Sequence, residues 1–168
     1  MLTVYVMCGL SFAGKTTLAR RIAASTASAV VSYDELYASV ERDAVLTGLH
    51  EWEFIVSCMD DAVRAELAAE RSVVVDNLNE DLVDRDRLRA IADDFGAKTI
   101  VIHVQAPLEL IGERRRTNDA TSARGTTSDE QFEFVRSKFE APGPPECVVS
   151  YQAGDALEPW LAALLAHA

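Results

Sequence analysis

The sequence predicts an α/β protein: a five-stranded, mainly parallel sheet with helices on both faces, in three α/β/α layers. Three observations carry that reading. Short apolar, β-branched runs alternate with helical text along the chain. The first run passes through a glycine-rich turn straight into a helix. The 168 residues are 49% hydrophobic and 26% charged, which suits one compact core. No internal repeat, low-complexity tract or long linker divides them, so one domain spanning 1–168 is expected.

The elements follow in order. Thr3 to Cys8 is an apolar run ending at glycine, as a buried parallel strand does, and Lys15 to Ala27 is a helix with Leu18, Ile22 and Ala23 on one side. Ala29 to Ser32 is a second strand, followed by helical text from Asp34 to about Leu46. Trp52 to Glu70 places Ile55, Met59, Val63 and Leu67 at steps of four, a core-facing stripe that begins at Trp52. Ser72 to Val75 is a third strand ending on Asp76. Asp81 to Phe95 is a helix with Leu82, Leu88 and Ile91 turned inward, and Thr99 to Val104 is a fourth strand. Pro107 suits the first position of a helix that runs to the arginines at 114. Thr117 to Ser128 is rich in Thr, Ser, Asn, Asp and Gly and is expected to be mobile. Gln131 to Phe139 is a helix, Cys147 to Val149 the fifth strand, and from Asp155 onward Leu157, Trp160, Leu161, Leu164 and Leu165 share a helical face. In such a sheet ligands bind at the carboxyl ends of the strands.

Gly9-Leu10-Ser11-Phe12-Ala13-Gly14-Lys15-Thr16 fits G-x-x-x-x-G-K-[ST] at the strand-to-helix junction that this motif requires, which makes the fold of the P-loop NTPase type. Glycines at 9 and 14 let the backbone bend so that N–H groups of about residues 11 to 17 converge on phosphate oxygens at a helix N-terminus. Gly9, Ser11, Phe12, Ala13, Gly14, Lys15, Thr16 and Thr17 are therefore the expected nucleotide contacts, with Lys15 reaching the β and γ phosphates and the Thr16 hydroxyl as one ligand of Mg²⁺.

Asp34, just past the second strand, lies on the same rim and suits a base that orients and deprotonates an attacking hydroxyl; a helix cap is the alternative. Asp76, after an apolar strand, suits an acid that holds Mg²⁺ through water. Asn77 and Asn79 either bond a substrate hydroxyl or turn the chain. Tyr37 and Asn79 join Asp34 as the expected acceptor contacts. Arg114, Arg115 and Arg116, with Arg124 beyond, form the dense basic cluster of an acidic chain. They read as a lid over 114–128 that neutralises the transferred phosphoryl group, with Arg114 and Arg116 in that role and Arg116 on the nucleotide; the alternative is a solvated helix end.

A net charge of −11, with 17 acids against 6 arginines between Asp34 and Asp94, disfavours duplex nucleic acid and anionic lipid as partners. No apolar run approaches the ~18 residues of a membrane span, and the N-terminal stretch lacks a basic region before its apolar run, so a cytoplasmic setting is expected. Cys8, Cys58 and Cys147 are scattered and odd in number and read as buried reduced thiols. His103 reads as packed inside a strand, His50 and His167 as surface residues.

In this order the features resemble the P-loop kinases of the AAA-domain-33 group, of the polynucleotide kinase and zeta-toxin type. The resemblance covers nearly the whole chain and rests on GLSFAGKTT at 9–17, SYDELY at 32–37, VVVDNLN at 73–79, RRR at 114–116 and FEAPGPPE at 139–146. It implies transfer of a phosphoryl group from ATP or GTP, with Mg²⁺, to a hydroxyl. Asp34 matches the acid that activates the acceptor, Lys15 and Thr16 the phosphate and metal contacts, and Arg114 or Arg116 the lid arginine. The stretch around Gln152 to Asp155 matches the loop over the base. Polynucleotide kinases carry a basic residue soon after the catalytic acid, whereas here Glu35, Leu36 and Tyr37 follow Asp34 and no arginine precedes Arg42. A small neutral hydroxylated acceptor, taken by a monomer or homodimer, therefore fits better than a substrate that brings its own phosphate. A nucleotide-dependent switch or ATPase, and a 5′-hydroxyl polynucleotide kinase, are the competing readings.

Overall fold

The computed structural model describes residues 1–39, 49–121 and 127–167. The chain runs β1 (Thr3–Cys8), α1 (Lys15–Thr26), β2 (Ala29–Ser32), α2 (Tyr33–Ser39), α3 (Leu49–Ala68), β3 (Val73–Asp76), α4 (Leu82–Asp94), β4 (Lys98–Gln105), α5 (Leu108–Thr121), α6 (Asp129–Lys138), β5 (Val148–Gln152) and α7 (Leu157–His167). The strands form one sheet in the order β2-β3-β1-β4-β5, and every pairing is parallel.

β1 is central because it is apolar on both sides. All of its residues are buried: Val4, Val6 and Cys8 pack with Met59 and Val63 of α3 and Leu88 and Ile91 of α4, while Tyr5 and Met7 pack with Leu18 and Ile22 of α1 and Leu161 and Leu164 of α7. A strand buried on both faces needs no polar alternation, and its sequence shows none. The chain first builds the sheet to one side of β1 and then to the other. The crevice beyond its carboxyl end is therefore the topological switch point where such sheets bind ligands.

Several expectations need correction. The helix at 108 continues through Thr121, so the segment expected to be mobile from Thr117 is helical in its first turn; its Thr hydroxyls bond carbonyls one turn back (Thr117 to Glu113, Thr121 to Thr117). Residues 122–126, with Arg124, and the expected helix beyond Ser39, with Arg42, lie outside the described residues. On α4 the inward face starts at Asp84 and Arg85, not at Leu82, which is exposed. Trp52 is likewise exposed, one turn before the buried Ile55, and Leu165 is exposed although Leu161 and Leu164 on its helix are buried. Cys8 is a buried thiol, Cys58 is half-buried and Cys147 is exposed, so only the first of the three fits the expectation fully. His103 is half-buried and stacks on Phe139; the side chains of His50 and His167 are outside the description.

Candidate active site

The turn from β1 to α1 is shaped by clearance. Gly9 has φ +149, and a Cβ there would lie 2.4 Å from the carbonyl oxygen of Val104 on β4, so no other residue fits. Gly14, at φ +114, caps α1 without a side-chain bond to the helix, which leaves the first N–H groups directed into the concavity. Phe12 adopts φ +63 between them, a left-handed backbone held by the loop on either side.

Lys15 opens α1 and folds back, its Nζ donating to the carbonyls of Gly9 at 2.8 Å and Leu10 at 2.9 Å. The side chain is only 9% exposed. Burial lowers the ammonium to about 8, against the opposing pull of Asp76, Cys8, Asp34 and Glu80. At the end of β3 the Asp76 carboxylate is buried and bonds the Thr16 hydroxyl; burial holds it above the usual carboxylate range, partly offset by Thr16 and Lys15. A desolvated carboxylate beside a hydroxyl, both hard oxygen donors, fits a Mg²⁺ site.

Asp34 lies in the first turn of α2, inside the helix, and is exposed. It is close enough for its charge to act on both Lys15 and Asp76. Tyr37 stands one turn further on and stacks on Tyr33 with ring centroids 5.9 Å apart. Asn79 is not at the rim. It is 1% exposed at φ +45, and its Nδ2 donates to the Met7 carbonyl at 2.7 Å, so its amide braces the end of β1, while its Oδ1 is buried without a hydrogen-bond partner among the described residues. Glu80 next to it is half-buried and within charge range of Lys15.

The arginines diverge, as consecutive helical residues must. Arg114 Nη1 donates to the carbonyls of Phe12 and Ala13, each at 2.9 Å, and so lies on the phosphate loop. Arg115 bonds Asp129 and the Thr127 carbonyl and stacks over Phe132, tying α5 to α6. Arg116, two residues from Arg114 and nearly opposite it, is exposed and runs back over Gly112; the structure does not bring it to the loop.

A cleft of about 570 Å³ opens beside the loop, lined by Phe12, Gly14, Thr17, Leu110, Arg114, Asn118, Tyr151, Gly154 and Leu157 among others. Its size suits a nucleoside. Ala153 and Gly154 belong to the stretch expected over the base. Leu110, Asn118 and Thr121 share one face of α5 with Arg114; of these, Asn118 and Thr121 were concealed by the expectation of a mobile segment from Thr117. A second cleft, of about 600 Å³, lies between Ser11 at the loop, Leu78 after β3 and Thr127, Glu130, Gln131, Phe134 and Val135 of the α6 side. Phe134 is 65% exposed there, and no sequence signal marked it.

A parallel sheet in this strand order, with a phosphate loop at its switch point and acids at the ends of neighbouring strands, defines a P-loop kinase fold. Solved structures agree. The chain superposes with a TM-score of 0.80 on a Chloroflexus aurantiacus protein provisionally assigned as a kinase, at 17% identity, covering 99% of this chain and 98% of that one. It superposes at 0.74 on Kti12 of Chaetomium thermophilum in complex with ADP-AlF3, at 19% identity, over 98% and 96% of the two chains. For the Mycobacterium tuberculosis APS kinase CysC in complex with AMPPNP and APS the score is 0.71, at 15% identity, again over 98% and 96%. By sequence, residues 4–142 match the AAA domain family AAA_33, and the chain belongs to it. No curated protein sequence matches the chain.

Proposed function

We propose that this protein is a kinase that transfers the γ-phosphate of ATP, or of GTP, to a hydroxyl of a small acceptor that carries no phosphate. One observation carries the reading: Asp76 from β3, Asp34 from α2 and Glu80 all bear on the loop lysine Lys15, so carboxylates converge on the place where a γ-phosphate would lie. Nucleotide and Mg²⁺ binding would use the loop and Asp76; an exposed acid on the opposite rim, Asp34, has its use in deprotonating an acceptor. Solved neighbours of the same fold include a sugar kinase and a gluconokinase, which supports an alcohol as acceptor.

In this mechanism the nucleoside occupies the cleft between α1, α5 and Gly154, and its phosphates lie on the N–H groups at the start of α1. Lys15 gives up its carbonyl partners, Gly9 and Leu10, and turns its ammonium to the β and γ phosphates. Thr16 and Asp76 would hold Mg²⁺, which when bound offsets phosphate charge. Asp34, exposed on the rim, accepts the proton of the acceptor hydroxyl as its oxygen attacks phosphorus. Tyr37 stands beside that proton transfer. Arg114, already on the loop, stabilises the transferred group, and the α5–α6 region acts as a lid.

Among the described cations on the acceptor side, Arg20 faces Glu35, Arg85 faces Glu146 and Arg115 faces Asp129, which leaves none of them directed at a substrate phosphate. The deciding experiment is thermal shift with Mg²⁺ and a non-hydrolysable nucleotide, repeated with a library of hydroxylated metabolites and a 5′-hydroxyl oligonucleotide. Added stabilisation by one small alcohol supports the reading. Stabilisation by nucleotide alone, with slow turnover in water that responds only to a protein, overturns it in favour of a switch.

A further inference from the structure

Among the described residues Arg85 is the largest fully buried side chain, at 2% exposure on a helix whose other inward residues are Asp84, at 8%, and the apolar Leu88, Ile91 and Ala92, and the motifs do not account for it. Its Nε and Nη2 grip the Glu146 carboxylate at 2.8 and 3.3 Å, and that side chain is itself 3% exposed. Its remaining donor, Nη1, reaches the Asn79 carbonyl at 3.0 Å and the Cys8 sulfur at 3.9 Å. Glu146 also accepts from the Gly143 amide and, at 3.4 Å, from Arg89.

A buried ion pair contributes little stability compared with apolar residues of the same volume, so its value must lie in what it positions. Here the third donor decides. The backbone at 78–79 is held on three sides: the Leu78 carbonyl accepts from the Gly9 amide at 3.3 Å, Asn79 Nδ2 donates to the Met7 carbonyl at 2.7 Å, and the Asn79 carbonyl accepts from Arg85. Gly9, the first residue of the phosphate loop, is thus clamped between Leu78 and the Val104 carbonyl. The same arginine anchors the 139–146 segment, which leaves α6 and is further bolted to α4 where the Glu140 amide bonds the Glu80 carbonyl and the Leu82 amide bonds the Glu140 carboxylate.

We infer that Arg85 is a positioning residue for nucleotide binding: through the Asn79 carbonyl and Glu146 it fixes the start of the phosphate loop relative to the 78–80 turn and to the 139–146 exit from α6. The inference rests on the phosphate loop binding a nucleotide, as proposed above. It does not depend on what the acceptor is.

The test compares wild type with Arg85→Lys and with the double variant Arg85→Met/Glu146→Leu, measuring melting temperature, calorimetric affinity for Mg-AMPPNP and amide exchange of the 5–17 segment. Lysine keeps a cation opposite Glu146 but cannot also reach Asn79. Arg85→Lys is expected to melt below wild type, because one ammonium replaces a two-bond grip on a buried carboxylate, and to bind nucleotide about tenfold more weakly, the scale of one charge-assisted bond, with faster exchange across 5–17. In the double variant, removing both charges is expected to recover most of the melting temperature and none of the affinity. Wild-type affinity and wild-type exchange in Arg85→Lys would reduce the pair to core packing and overturn the inference. Should wild type itself ignore Mg-AMPPNP, the proposed function fails, and the exchange rates still decide the role of Arg85.

Discussion

The two sides of the phosphate loop are built on different principles. On the nucleotide side, a contiguous stretch from Gly9 to Thr17 carries the chemistry, and its geometry is over-determined: Gly9 has no room for a Cβ, Lys15 is sealed against two carbonyls and Arg114 holds two more. On the side proposed for the acceptor, Asp34, Tyr37, Glu80 and Phe134 come from three separate segments and are exposed or half-buried. The first side is fixed by backbone, which any nucleotide shares as a target through its phosphates. The second is fixed by side chains on helix ends, which can change without disturbing the sheet. In the proposed kinase, recognition of the common ligand would thus be rigid and local, and recognition of the particular ligand distributed.

Gly9→Ala breaks the rigid side most completely. A Cβ placed 2.4 Å from the Val104 oxygen forces the loop or β4 to move. Nucleotide-dependent thermal stabilisation is expected to vanish, with a lower melting temperature for the nucleotide-free protein. Lys15→Met separates affinity from folding. It removes an ammonium that burial disfavours, so the nucleotide-free protein should melt no lower than wild type near pH 7 while Mg-nucleotide affinity falls by about 10²-fold. A loss of stability equal to that of Gly9→Ala would mean that Lys15 is a structural strut.

Asp34→Asn tests the distributed side alone. Phosphoryl transfer to the acceptor should fall by about 10²-fold, the usual scale for loss of a general base, with nucleotide affinity unchanged in calorimetry. Equal transfer rates would leave Asp34 as an acid that only favours the first turn of α2.

This division also explains what the sequence could disclose. The strands, their parallel character and the phosphate loop were legible because they depend on local patterns: apolar runs, a glycine spacing, a strand-to-helix junction. Asp76 was legible for the same reason, since it ends an apolar run. Asn79 was misplaced because an amide after a strand looks the same whether it faces solvent or, as here, braces Met7. Arg85 was hidden because an arginine on an amphipathic helix is read as solvated unless its distant partner, Glu146, is known. The extent of α5 was missed because Thr and Ser were read as breakers, whereas the Thr hydroxyls bond within the helix.

A smaller effect follows from pH. The Lys15 ammonium titrates near 8 in the free protein and at its ordinary, higher value when unfolded. The unfolded chain therefore binds more protons between about 8 and 10.5, and this group makes the nucleotide-free protein more stable as pH rises through that window. Phosphate binding requires the charged form, so affinity should be flat in this group below pH 8 and weaken by up to about tenfold per unit above it. Calorimetry at pH 9 in buffers of different ionisation heat should show proton uptake on binding; its absence would mean that Lys15 stays charged in its carbonyl cage.

The smallest difference lies within the arginine run and sharpens the comparison at the scale of two residues. Arg114 and Arg116 have the same chemistry, and only the helix separates them: one donates to Phe12 and Ala13 and lines the cleft beside the loop, the other lies over Gly112 in solvent. Arg114→Ala removes two charge-assisted bonds to the loop and should weaken Mg-nucleotide binding by about tenfold. Arg116→Ala should change it by less than about twofold, as expected of an exposed charge. If the two variants lost affinity equally in a side-by-side titration, α5 would have to rotate when nucleotide binds. The rigidity assigned to this side of the loop would then end at Ala13 and exclude the helix that rests on it.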